Sequence, residues 1–79
     1  MATLIKIDGT IETLTNTNLD TLQKAVGGYI EIVNLPNGRL LVVDEEGLLK
    51  KKDINIKAST MYGNVVVGDV VLCRNDEID

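Results

Sequence analysis

The chain has 79 residues, a formal net charge of −4 and a sequence pI near 4.6, with no His, Trp or Phe, a single Cys and only two Tyr. An acidic chain lacks the basic surface that displaces counterions from a nucleic-acid backbone, which argues against a polymeric DNA or RNA ligand, and one thiol without histidine excludes an intramolecular disulfide and a zinc-finger ligand set. A mononucleotide remains open, because a few local cations and backbone N–H groups can hold one or two phosphates whatever the net charge.

One domain over residues 1–79 is the expectation. A chain near this size buries only about 60% of its unfolded surface. Its core must come from Leu, Ile, Val and Ala, which supply less area per residue than aromatics. Homo-oligomerisation is the remaining way to reinforce so thin a core. No apolar stretch approaches the ~20 residues of a membrane span, and Met1-Ala2-Thr3-Leu4-Ile5-Lys6 lacks the form of a signal peptide, so the cytoplasm is the expected compartment and no membrane partner is expected.

Leu4, Ile5 and Ile7, then Asp8-Gly9, then Thr10 to Leu14 read as a hairpin, because both turn residues tolerate positive φ. Thr17 or Asn18 can cap a short helix with Asp20 in its first turn and Leu19, Leu22, Ala25 and Val26 on one face; Gly27 provides the left-handed stop. Tyr29 to Leu35 and Arg39 to Val43 form a second hairpin across Pro36-Asn37-Gly38. Asp44-Glu45-Glu46-Gly47 breaks that strand, and Lys50-Lys51-Lys52-Asp53 reads as an exposed polar stretch. Ile54, Ala58 and Met61 or Tyr62 fit one short helical face. Asn64 to Cys73 is a β-rich run interrupted at Gly68-Asp69 by a turn or bulge, and Asn75 to Asp79 reads as a frayed acidic tail. The fold class is α+β: a small, mostly antiparallel sheet of two hairpins plus a closing strand, with one or two short helices.

The inventory for catalysis is poor. The chain has no histidine base, no nucleophile-elbow, Walker or Rossmann glycine pattern, and no cofactor motif. Asp44, Glu45 and Glu46 could in principle hold a divalent cation, but adjacent acids after a strand are ordinarily a solvated turn. Cys73, in a Val-rich strand, reads as a small buried hydrophobe. Gly27-Gly28-Tyr29 has two readings: a helix stop before a strand, or a wall where backbone approaches a ligand and Tyr29 stacks on a base. Arg39, Lys57 and the Lys50–Lys52 run could meet phosphate or form a solvated face. Asn55, between two isoleucines, braces a loop or reads a ligand.

Three blocks, Val26-Gly27-Gly28-Tyr29-Ile30-Glu31-Ile32-Val33, Val42-Val43-Asp44-Glu45-Glu46-Gly47-Leu48 continuing to Asn55 and Ala58, and Gly68-Asp69-Val70-Val71-Leu72, resemble a small domain of unknown function found in phages, mobile elements and bacteria. Where its members carry a Leu-Pro-x-Asn run, this chain has Lys52-Asp53-Ile54-Asn55. The resemblance implies a small, non-catalytic accessory protein that sequesters a nucleotide-derived immune signal and so counteracts host defence. Under that implication Gly27, Gly28 and Tyr29 face base or ribose, Glu45 and Glu46 accept hydrogen bonds, Asn55 gives an amide contact, and Lys57 or Arg39 meets phosphate. The pocket would then lie between subunits of a symmetric oligomer. The competing expectation is a protein-interaction module that inhibits a host protein, without a small-molecule pocket. A third, metal-assisted phosphoester hydrolysis at Glu45 and Glu46, lacks a complete ligand set.

Overall fold

The computed structural model describes residues 2–78. Five strands form one sheet in the order β2-β1-β5-β4-β3, with every neighbouring pair antiparallel. β1 (Ala2–Ile5) and β2 (Ile11–Leu14) are the first hairpin, β3 (Ile30–Asn34) and β4 (Arg39–Asp44) the second, and β5 (Val70–Arg74) is inserted between them. The closing strand expected from the sequence is therefore the central one. It joins two hairpins that make no sheet contact of their own, so the sheet cannot close until the end of the chain arrives.

Each face of the sheet carries one helix. α1 (Leu19–Val26) packs Leu22 and Val26 against Ala2, Leu4, Leu40, Val42, Val71 and Cys73. On the other face Ala58 of α2 (Ile56–Tyr62) meets Ile5, Leu41, Val43 and Val70. Alternate residues of β4 thus enter different cores, and this two-sided burial is why Leu40–Val43 and Val70–Cys73 are unbroken apolar runs rather than alternating ones. α1 ends at Gly27, whose φ of 84° is accessible to glycine at little cost, and the N–H groups of Gly27 and Gly28 both donate to Gln23 O.

Several local expectations shift. The β-rich run from Asn64 yields a strand only from Val70; before it, Gly68 at φ 78° turns the chain and Val67 makes an isolated bridge to Ile54. Leu19, placed on the apolar face of α1, is the first residue of the helix and is 58% exposed. Lys50, Lys51 and Asp53 are exposed as expected, while the Lys50 and Lys52 ammonium groups reach back to carbonyl acceptors at the end of α1. The acidic tail is not frayed over 75–78: Asn75–Glu77 form a 3-10 turn, Glu77 accepts the Arg74 N–H at 2.8 Å, the Thr17 hydroxyl donates to Glu77 O, and Ile78 packs on the α1-side core. Asp79 and Met1 lie outside the described residues. No helix among the described residues is long and apolar enough to cross a membrane.

Candidate functional site

Asp44 is the last residue of β4 and shares a sheet face with Leu40 and Val42, so alternation carries its side chain inward. Only 1% of that side chain is exposed. A carboxylate so placed must be paired. Its Oδ2 receives Lys52 Nζ at 2.7 Å and Lys50 Nζ at 2.9 Å, and its Oδ1 accepts the Glu46 N–H at 2.9 Å. Burial alone would raise its pKa; the Lys52 and Lys50 hydrogen bonds and the Glu46 N–H outweigh burial and hold it at about 2.

The same ammonium groups reach the end of α1. Lys52 donates to Val26 O at 2.6 Å and Lys50 to Gly27 O at 3.1 Å, placing cations on carbonyls that the helix leaves unpaired. Two glycines, Gly28 and Gly68, lie close against this knot. A Cβ on Gly28 would stand 2.6 Å from Lys50 Nζ and 3.0 Å from Asp44 Oδ1, and one on Gly68 would stand 2.7 Å from Lys52 Cδ.

The knot sets out the surface beside it. Gly28, Tyr29, Glu46, Lys50 and Gln23 line a hollow of about 270 Å³, in which Tyr29 is 69% exposed and held through its carbonyl by the Glu45 N–H at 2.9 Å. Across the glycine pair, Gly27 borders an open groove of about 490 Å³ together with Lys24, Lys51, Lys52, Gly68 and Asp69. Lys51 takes a φ of 56°, uncommon for a residue with a side chain.

Of the residues picked out from the sequence, Gly27, Gly28, Tyr29 and Glu46 come together here. Glu45 adjoins Tyr29 through the backbone but lines a different hollow, on the α2 side of the sheet with Glu31, Leu48, Tyr62 and Val65. Arg39 starts β4, about 17 Å from Asp44 at the strand's rise per residue. Lys57 donates to Gly9 O at 3.2 Å on the first hairpin's loop.

Asn55 is fully buried and braces a loop: Nδ2 donates to Ile5 O at 3.0 Å and Gly68 O at 2.9 Å, while Oδ1 accepts the Ala58 N–H at 3.1 Å and caps α2. Its amide is thus spent on the fold. Cys73 is buried, and burial followed by the charge of Glu77 pushes its thiol pKa up. Among the described residues no cluster of His, Cys, Asp or Glu could hold a metal ion; Asp44 points inward while Glu45 and Glu46 face outward.

No motif in the sequence marks Lys50, Lys52 or Gln23 individually. For the lysines the available signal is the i, i+2, i+4 placement of Leu40, Val42 and Asp44, which sends a carboxylate into the core and demands cations nearby. Gln23 carries no such signal.

The chain matches no curated protein and no solved structure. A family model described as a domain of unknown function, DUF3846, matches residues 2–79, and the chain belongs to that family.

Proposed function

We propose that this domain is a non-catalytic binding protein that holds a small nucleotide-derived molecule at the Gly28–Tyr29–Glu46 corner and keeps it from other receptors. The observation that carries the reading is the hollow itself. It combines an exposed aromatic ring, a carboxylate able to accept from base amino or ribose hydroxyl groups, the Gln23 amide and a side-chain-free backbone wall at Gly28. The groove beyond Gly27, with Lys24 and Lys51 at its border, offers room for phosphate. Asp44, tied by Lys50 and Lys52, serves as the anchor of this corner rather than as an acid or base.

The resemblance to phage and mobile-element domains supplies the biological setting: an accessory protein in the host cytoplasm that removes an immune signal. Native mass spectrometry after incubation with defined mono-, di- and cyclic nucleotides tests it. A discrete nucleotide mass released unchanged on denaturation supports sequestration, release of a converted product means catalysis, and no added mass overturns the reading.

A second reading is supported by the α2 side, where Val65 is 58% exposed and borders both the hollow containing Leu48 and Tyr62 and a shallower one containing Ile54 and Ile56. An apolar surface of this kind fits a protein partner.

A further inference from the structure

β3 is an edge strand, and its free backbone groups have a definite pattern. The Glu45 N–H donates to Tyr29 O and the Leu35 N–H to Arg39 O, both at 2.9 Å. Antiparallel pairing alternates, so odd-numbered residues turn their N–H and C=O toward β4, while Ile30, Ile32 and Asn34 turn theirs outward. The run is bounded on both sides. The Gly28 N–H is already given to Gln23 O, and Pro36 has no N–H. β3 also lacks the usual protections of an edge: it has no lysine, no proline and no bulge, and Glu31 is its only charge. The opposite edge, β2, is shorter, and its Glu12 is tied to Lys6 at 2.6 Å.

We infer that two copies of this chain pair through β3, antiparallel and centred on Ile32, and that each copy thereby brings its Arg39 to the other's Tyr29. This inference rests on the corner being the binding site. The Ile32-centred register is the one that pairs all three outward residues of each strand: Ile30 with the partner's Asn34, Ile32 with the partner's Ile32, and Asn34 with the partner's Ile30. It opposes Glu31 to the partner's Val33, so like charges do not face each other, and it sets the two half-exposed Ile32 side chains side by side.

The consequence for the site follows from register. Continued beyond the strand, Tyr29 faces the partner's Leu35, which pairs with the partner's Arg39 on the next strand over. Two interstrand spacings, about 10 Å between backbones, then separate Tyr29 from a guanidinium carrier. In a single chain Arg39 lies at the far end of β4, and the cations nearest Tyr29 and Asp44 are spent on Asp44 and on the end of α1. The two-fold pairing brings the partner's arginine, carried on the α2 face with Leu35 and Leu41, about two strand spacings from Tyr29, within a side chain's reach of a phosphate bound beside that ring.

Ile32→Cys tests the register without any nucleotide. A symmetric Ile32 pair lies about 5.5 Å apart at Cα, within disulfide range, whereas Cys73 is buried. Mild oxidation is expected to convert most of the variant to a covalent dimer while wild type stays uncross-linked, native mass spectrometry is expected to find wild type dimeric, and Ile32→Lys is expected to be a folded monomer. A wild-type monomer at micromolar concentration, or a dimer in which Ile32→Cys does not cross-link, overturns the pairing. Nucleotide binding is read separately: Arg39→Ala, which leaves β3 intact, and Ile32→Lys, which retains its own Arg39, should each lose at least about tenfold in affinity. Full affinity in either overturns the shared site but not the dimer. A cross-linked dimer that binds no nucleotide leaves the pairing standing and rejects the binding reading.

Discussion

Lys52 Nζ lies 2.7 Å from Asp44 Oδ2 and 2.6 Å from Val26 O, so one ammonium group joins the end of β4 to the end of α1. Lys50 repeats the join one acceptor further on, at Gly27 O. The turn between Asp44 and Lys52 is fixed by these bonds together with Lys50 N–H to Glu46 O and Lys52 N–H to Gly47 O. The Gly28–Tyr29–Glu46 corner is in effect the outer surface of this knot.

Replacing Asp44 with Ala leaves Lys52, 23% exposed, without its counter-charge. The expected loss is about 3 kcal/mol, read as the shift of the urea midpoint at unchanged slope. Lys50→Met should cost less than about 1 kcal/mol, because its side chain is 39% exposed and screened by water.

Asp44 also predicts an acid limb of stability. Its folded pKa of about 2 lies below the ordinary 3.8, so the stability that it contributes is fully present above about 3.8 and is lost as pH falls toward 2. The contribution is about 2 kcal/mol. Equilibrium unfolding measured at several pH values between 5 and 2 should be flatter in Asp44→Asn than in wild type; parallel curves would deny the carboxylate this role.

Gly28→Ala is expected to disturb the knot rather than the helix stop, since its Cβ would meet Lys50 Nζ at 2.6 Å. In a double-mutant cycle with Lys50→Ala the two losses should be non-additive by about 0.5 kcal/mol or more, because the second change removes the group with which the methyl collides. Additive losses would mean that the glycine matters through its backbone alone.

Asn55→Ala removes the cap of α2 and strands the buried carbonyls of Ile5 and Gly68. A loss of about 3 kcal/mol is expected, and Asn55→Asp should not restore stability, because a carboxylate replaces the two N–H donors with an acceptor. Thermal melting of the two variants checks this.

Elements set by local chemistry were legible in the sequence. Both hairpins and the helix stop at Gly27 depend on residues that tolerate positive φ, and Gly9, Asn37, Gly38 and Gly27 adopt it; Asp8 does not, and the first loop runs from Lys6 to Thr10, with Ile7 outside the strand, instead of turning on Asp8-Gly9 alone. What local pattern could not reveal was long-range placement. The runs Leu40–Val43 and Val70–Cys73 have no period because both faces are buried, and nothing local says that β5 enters between the hairpins. The Lys50–Lys52 run has the composition of a solvated face, and its docking on α1 depends on a carboxylate from another element. Asn55 was open between bracing and recognition because its partners, Ile5 and Gly68, are 50 and 13 residues away. The Gly-Gly-Tyr corner was legible as a unit, whereas the separation of Arg39 from it depends on strand direction.

The most direct measurement is isothermal titration of wild type and Tyr29→Ala with the nucleotide that native mass spectrometry retains. Tyr29 is 69% exposed, so its truncation leaves the core intact. An unchanged melting temperature and an affinity lowered by about tenfold or more are expected, the loss that follows removal of a stacking ring. Equal affinities in the two proteins would contradict a binding site at this corner.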